Sequence, residues 1–420
     1  MKWRNTILIC ILVVFSGWVG YSFGQQKLRL SFVNWKPALV VNKAATTMDI
    51  PAEADFSMFW TVWDKVSSLY VDKTQLDPKK MIDGAISGMV AALGDPYTVY
   101  LPVQQNKETK EDLGGAFEGV GIQLGYKDKQ LAVIAPLEGT PAFLMGVKPG
   151  DLILRIVDEA AKVDQETGGM SLPAAVKLIR GPKGTKVKLT MYREGQDKPF
   201  DLEIPRDTIV IKSVTLTWVE GLANKKVAWI KLTRFGDRTQ DEWIEAVNQI
   251  LSTCPVGNKD VCQGVVLDVR NNPGGYLEMA VYLAGEFLKP EKIVVSQQYG
   301  DGTKVDNKVN RNGRLMDMPL TVLVNGGSAS ASEILTGALQ DYKRAKVVGV
   351  KSFGKGSVQQ PEDFPDGSGI HVTVAKWLRP SGEWLDKIGI EPDMAVELND
   401  QADVSDYKQD TQLSKAIEIL

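Results

Sequence analysis

A single histidine, His371, stands in a chain of 420 residues. That scarcity excludes an HExxH zinc site and leaves any Ser-His-Asp triad one imidazole to depend on. His371 falls in the alternating stretch "GIHVTVAKW", where a packed or half-exposed strand residue is the expectation. Cysteine is nearly as scarce, with only Cys10, Cys254 and Cys262. Two cysteines and one distant histidine do not make a four-ligand zinc site, and no cofactor of any kind is expected. Neither sign of charge dominates, the formal net charge being -3, and no basic stripe or aromatic-basic interleaving occurs. Nucleic acid is therefore not an expected partner. Repeats of solenoid period and low-complexity segments are missing too.

Long charge-free runs are absent except at the start, where Lys2 and Arg4 precede the uncharged stretch from Thr6 to Gly24. Nineteen helical residues span roughly 28 Å, close to the hydrocarbon thickness of a bilayer. The basic flank places the N-terminus inside and the rest of the chain outside the cytoplasm, on a periplasmic or extracellular face. Residues 1–24 are thus read as a retained membrane anchor. A cleaved signal peptide, giving a secreted form, is the alternative. Cys254 and Cys262 bracket a short polar loop, "CPVGNKDVC", that a disulfide can close in an oxidising compartment; two unpaired thiols are the other reading.

Residues 25–50 lack periodicity and read as a tether. Over residues 51–112 the pattern is helical: Phe56, Phe59, Trp60, Trp63, Val66 and Leu69 recur at helical spacing, and "KKMIDGAISGMVAAL" gives a second helix ending at the turn "GDPY". Such an aromatic stripe is a core or partner face, and Trp60 and Trp63 mark a candidate homodimer surface. Residues 113–205 change to short alternating strands and glycine turns with two brief helices. Within them Gly119, Val120, Gly121 and Ile122 form a turn able to present successive amides to a carboxylate, or simply a structural turn. From residue 206 to 398, strands and helices alternate in a βα order that predicts a mainly parallel sheet. Two glycine turns then fall at strand C-termini, "RNNPGG" and "GGSASAS". Residues 399–420 are left as a C-terminal tail.

The second of these turns enters a helix directly. A serine there meets free amide protons, which cap a helix or stabilise an oxyanion equally well. Ser328, Ser330 and Ser332 remain equal candidates on this ground. With so little histidine, the base for a serine nucleophile is sought in Lys355, held between glycines in "SFGKGSVQQ". A buried lysine can fall from about 10.4 towards the 7–8 that general-base work needs, whereas a solvated surface lysine cannot.

"SASASEI" followed by "FGKGSVQ", with Lys355 25 residues beyond Ser330, closely resembles the catalytic core of the carboxyl-terminal processing peptidases, PDZ-containing serine proteases with a Ser-Lys dyad. The segments "LDVRNNPGG", "LRPSGEWLDKIGIEPDMAV" and "MIDGAISGMVAALGDPYTVYL" carry the same resemblance, which spans about residues 55–398. "GVGIQL", "GTPAFLMGVKPGDLILRI" and "VKLIRGPKGTKVKLTMYR" resemble a PDZ domain in its bacterial permuted form. The insertion "CPVGNKDVC" is the main departure and leaves the motifs intact.

The resemblance implies an α/β multidomain protein: a membrane anchor and helical segment, a PDZ domain of short strands and two helices, and an α/β serine protease core. It implies Ser330 as nucleophile, Lys355 as general base and Gln359 as the residue positioning that lysine. Ala331 and either Gly274 or Gly275 would form the oxyanion hole. Asp268, Arg270 and Glu333 fall near the site, with structural ion pairing the competing reading. The PDZ domain would hold a free C-terminal tail of a protein or peptide substrate at Gly119–Ile122. Arg180 or Lys183 would couple tail binding to the protease. An adaptor protein is a further candidate partner. A non-cleaving PDZ scaffold of the cell envelope and a small-amide hydrolase are the rival readings.

Overall fold

The computed structural model describes residues 28–33, 36–41, 56–254, 261–398 and 407–420. Cys10 and the anchor expected over residues 1–24 lie outside them. Among the described residues no helix is long and apolar enough to cross a membrane. Two units divide the chain, residues 1–81 and 82–420.

In the first unit, the stretch read as a tether contains an antiparallel pair, Leu28–Val33 with Lys36–Val41. The alternating "LRLSFV" is the period that a tether reading overlooked. Helix Ser57–Leu69 follows the predicted aromatic spacing, and Phe59 and Trp60 meet edge-on with ring centroids 5.0 Å apart. None of its residues is buried.

Outside residues 116–210, the second unit is layered around two sheets. The larger has the order Val214–Glu220, Lys226–Leu232, Cys262–Asp268, Leu320–Val324, Lys346–Gly349, Met394–Ala395. Its first pair is antiparallel and the rest are parallel, as the βα order predicts. Alternate residues of one strand serve opposite faces. Val265 and Leu267 pack with Trp243, Val247 and Ile250 of helix Thr239–Thr253, while Val266 packs with Leu413, Ala416 and Ile417. Both faces are therefore covered, which is why these strands read as unbroken apolar runs.

The cover on the second face corrects the reading of residues 399–420 as a tail. Helix Thr411–Glu418 lies against the sheet, capped by the Asp410 carboxylate accepting from the Leu413 amide at 2.9 Å. Arg270 lies at the centre of the anchoring ion pairs, reaching Asp268 at 2.6 Å and Asp410 at 2.7 Å. All three are buried or nearly so. Burial alone would loosen the guanidinium proton, but the two carboxylates outweigh it and push Arg270 above its ordinary range. A short amphipathic helix beyond a polar stretch carries too few residues to announce its partner face.

The smaller sheet is antiparallel, in the order Lys304–Lys308, Ile293–Tyr299, Gly369–Leu378, Ser357–Asp363, with Val99–Leu101 joined to Gly369–Leu378. The strand "IVVSQQY" thus leaves the parallel sheet in which the βα pattern placed it. Periodicity reports a strand, not which sheet it joins.

Residues 122–205 form a separate antiparallel sheet ordered Phe200–Pro205, Lys186–Tyr192, Leu152–Asp158, Gln130–Pro136, Ile122–Lys127, with Val163–Glu166 on Leu152–Asp158. Helices Pro141–Leu144 and Leu172–Ile179 complete it, over a core that includes Ile153, Ile156, Leu189 and Met191. The expected boundary at residue 113 falls inside helix Val103–Gly114. A ribbon of Ala116–Gly119 with Asp207–Val210 closes the module's entry and exit.

Asp410→Ala should lower the unfolding free energy by about 3 kcal/mol, because it leaves a buried guanidinium with one of its two counterions. Urea unfolding followed by circular dichroism is the check; a midpoint equal to wild type would show that the helix is held by its apolar face alone.

Candidate active site

Three of the loops singled out in the sequence meet at the C-terminal ends of the parallel strands. "RNNPGG" follows strand Cys262–Asp268, "GGSASAS" follows Leu320–Val324, and the lysine loop joins Lys346–Gly349 to Ser357–Asp363 of the other sheet.

The three serines separate by their partners. Ser328 is fully buried; its hydroxyl donates to the Val269 carbonyl at 2.8 Å and accepts from the Asn325 amide at 3.0 Å. Ser332 is also buried and donates to the Asn272 carbonyl at 2.8 Å. Both act as staples between loops. Ser330 sits half-buried between them at φ 55°, ψ -116°, a strained backbone for a residue with a side chain. It precedes helix Ala331–Asp341, so the Ala331 amide is the first of the free N–H groups at the helix start.

Glu333, one turn into that helix, is fully buried and accepts four hydrogen bonds. Its Oε2 takes the amides of Ser330 at 2.9 Å and Lys355 at 3.0 Å. Its Oε1 takes the Ser352 hydroxyl at 2.6 Å and the Gly354 amide at 2.7 Å. Burial pushes its carboxyl above the ordinary glutamate value, while these donors oppose the rise. One oxygen atom thus bridges the backbones of the serine and the lysine.

Lys355 is half-buried, and among the described residues its ammonium has no carboxylate at ion-pair distance. Its Nζ lies 5.0 Å from the centre of the Tyr97 ring. Burial is the largest influence and depresses its pKa, against Asp95 and Glu333, which raise it. Two indoles hold the loop from the other side: Trp377 Nε1 donates to the Lys355 carbonyl at 2.7 Å and Trp384 Nε1 to the Gly356 carbonyl at 2.8 Å. A side chain at Gly356 would strike Trp384 and the Asp386 backbone, which explains one of the flanking glycines.

Gln359 stands on the adjoining strand, but its amide donates to Ser357 at 2.8 Å and Thr373 at 3.1 Å rather than to the lysine. His371 is half-buried on strand Gly369–Leu378, and burial with the nearby positive Lys355 keeps its pKa low. Of the two glycines, Gly274 backs onto the serine loop: a Cβ there would lie 2.8 Å from Ser330 Cβ and 3.0 Å from the Ala331 nitrogen. Gly275 abuts Phe235 instead. The Gly274 amide donates to Asn272 Oδ1 at 2.9 Å. Arg270 pairs with both Asp268 and Asp410, an arrangement in keeping with structural ion pairing.

Sequence reasoning missed Asn272, Tyr97, Trp377 and Trp384. Asn272 is fully buried, donates to the Leu232 carbonyl at 2.8 Å and accepts the Ala329 amide at 3.0 Å through its own carbonyl. Its place in "NNPGG" was the available signal; nothing marked the two tryptophans.

At Gly119–Ile122, Val120 is buried and Gly121 turns at φ 80° tightly against Thr140. The strand that follows, Ile122–Lys127, lies at the edge of its sheet beside helix Leu172–Ile179. Arg180, at the helix end, stacks on Phe117 at 4.1 Å and reaches Glu111 at 3.3 Å, in a cleft of about 1110 Å³ that also touches helix Val103–Gly114. Lys183 pairs with Asp207 at 2.6 Å. Cys254 and Cys262 form a disulfide with Cα atoms 5.7 Å apart.

Glu333→Gln should lower the unfolding free energy by about 2–3 kcal/mol, since an amide N–H₂ must then face donors that need acceptors. Thermal and urea unfolding of the variant measure this, and an unchanged stability would show that the four donors find other partners.

Residues 226–396 match the family model of peptidase family S41, and residues 20–108 match that of the activating protease CtpB N-terminal domain. The carboxy-terminal processing protease CtpA of Bacillus subtilis (strain 168) is 36% identical over 371 residues, covering 88% of this chain and 74% of the relative. A probable CtpA-like serine protease of Staphylococcus aureus (strain MSSA476) is 36% identical over 360 residues, with 86% and 68% covered. In fold, the chain is similar to a putative S41 protease from Bacteroides fragilis NCTC 9343, with TM-score 0.55 at 17% identity over 86% of this chain and 96% of that one.

Proposed function

Because the chain belongs to peptidase family S41, among the carboxy-terminal processing proteases, and is a serine-type peptidase, we propose that it cleaves protein chains with Ser330 as nucleophile and Lys355 as base. The observation that carries this reading is the Glu333 oxygen shared by the two residues' amides. It supports a serine and a lysine brought together from separate loops. The lysine's burial without a counterion supports the neutral amine that a base requires.

In this mechanism Lys355 Nζ takes the Ser330 hydroxyl proton as Oγ bonds to the scissile carbonyl carbon. The oxyanion forms beside the Ala331 amide; Gly274 is the nearer of the two candidate glycines, but its own amide is held by Asn272 Oδ1 and is not a free donor. The lysine then returns the proton to the departing amine, leaving an acyl-enzyme. Water, deprotonated by Lys355 Nζ, attacks the acyl carbon; the bond to Ser330 Oγ breaks, the lysine returns the proton to Oγ, and the second product leaves as a carboxylate. Gln359 fits a supporting place through Ser357 and Thr373 rather than a direct hold on Lys355. The chemistry calls for no cofactor.

Residues 113–205 are assigned as a PDZ domain that adds a substrate's C-terminal tail to the free edge of strand Ile122–Lys127, with its carboxylate at Gly119–Ile122. Arg180, poised between that module and Glu111 of the neighbouring helix, suits a link between tail binding and the protease. The basic-flanked apolar run over residues 1–24 supports export and anchoring to a membrane, with the protease outside the cytoplasm. Exposed Trp60 supports a homodimer through helix Ser57–Leu69.

Incubation with an unfolded protein bearing an apolar C-terminus, followed by mass spectrometry, should show cleavage by the wild type. In Ser330→Ala and Lys355→Ala it should fall at least a thousandfold with folding retained. Tail binding without cleavage by the wild type would favour the scaffold reading. The sign of the pH dependence follows from the base: the neutral amine is active, and its depressed pKa is crossed earlier as pH rises. The rate should therefore climb and level off below the ordinary lysine value of about 10.4. A rate still rising steeply beyond that value would contradict a depressed base.

A further inference from the structure

The turn "GDPYT" precedes the whole β-rich module, yet it supplies a wall of the serine–lysine site. Asp95 organises it: one carboxylate oxygen accepts the Tyr97 amide at 3.0 Å and the other the Thr98 hydroxyl at 2.6 Å. Buried Thr98 in turn accepts the Thr373 amide at 3.0 Å, on the central strand of the antiparallel sheet. The next residues, Val99–Leu101, continue into that sheet, with Val99 opposite His371. The Thr373 hydroxyl also receives the Gln359 amide at 3.1 Å. Tyr97 is therefore fixed in place by the same strand that carries the lysine's neighbours. Its ring stands 5.0 Å from Lys355 Nζ.

We propose that Tyr97 is a positioning residue for Lys355, its ring face closing the amine off from water on one side and keeping the side chain directed into the site. This rests on the assignment of Lys355 as the base. Two effects of the ring oppose each other. A ring face attracts an ammonium, which favours the protonated form modestly. Excluding water disfavours that form, by as much as 3–5 pKa units when burial is complete. Burial is the largest influence on Lys355, ahead of Asp95 and Glu333, and a ring 5.0 Å from Nζ contributes to that burial from one side. On this proposal water exclusion is the larger of the ring's two effects. Charged or titratable groups face this corner from every side: Asp95 on the turn, Glu333 on the nucleophile helix, His371 on the central strand, and Asp386, which accepts the Gly356 amide at 3.3 Å. All four persist when Tyr97 is changed, so a shift reports the ring.

The test compares wild type, Tyr97→Phe, Tyr97→Ala and Tyr97→Gln in the full chain. The last fills similar space with a polar group, in case the alanine variant fails to fold. One readout is kcat/KM against pH on a peptide with an apolar C-terminal tail. The other, independent of turnover, is the pH dependence of Lys355 acetylation by acetic anhydride in a Ser330→Ala background, read by mass spectrometry. Tyr97→Phe should match wild type. Tyr97→Ala and Tyr97→Gln should move the acid limb and the acetylation midpoint upward by about one pH unit, costing roughly tenfold in rate below the limb and little above it. An equal loss at every pH, or a midpoint that stays or moves down, would overturn the proposal while leaving Lys355 as base. Cleavage retained in Lys355→Ala would overturn the base assignment, and this inference with it.

Discussion

The buried carboxylate of Glu333 is the interaction on which the site depends. A charged group with no exposure is tolerated only when its lone pairs are all taken, and four donors from two loops take them. The same requirement that makes the carboxylate acceptable fixes the positions of Ser330 and Lys355 relative to each other. It also helps hold Ser330 in a backbone region that a free serine would leave. In the proposed mechanism, strain at the nucleophile and burial at the base are thus sustained by one side chain that need not touch a substrate.

Around this centre, polar staples do what apolar packing cannot. Ser328, Ser332 and Asn272 tie the serine loop to the glycine turn through hydrogen bonds to backbone carbonyls. Trp377 and Trp384 tie the lysine loop through its carbonyls. Below the glycine turn, Arg270 links the end of strand Cys262–Asp268 to Asp410 and the C-terminal helix. The loops bearing the chemistry are therefore each bound at both backbone ends, which suits a site that must hold geometry while a peptide enters and leaves.

Family membership makes the protein a peptidase of serine type. With Lys355 as the proposed base, a chain with one histidine has no need of it for the chemistry. His371 sits on the strand next to the one that follows Lys355, and burial, the largest influence on it, keeps its pKa low. Under that proposal, a lysine shielded by Tyr97 and tied through its amide to Glu333 offers the same service as an imidazole, provided water is kept away from it.

Local signals in the sequence reached far: the aromatic helix, the parallel βα order, the two glycine turns at strand ends and the candidate serines and lysine all follow from periodicity and residue chemistry. They are legible because each depends on residues close together in the chain. The resemblance and its spacing to Lys355 already singled out Ser330 among Ser328, Ser330 and Ser332; the structure adds the partners of the other two hydroxyls, the carbonyls of Val269 and Asn272. That Gly274 rather than Gly275 backs onto Ser330 needed the tertiary structure. The second sheet, the packing of helix Thr411–Glu418, the role of Arg270 and the ring of Tyr97 beside Lys355 were decided by tertiary structure alone. Each joins segments distant in sequence, and the pattern within a segment states that it has a face to bury without stating against what.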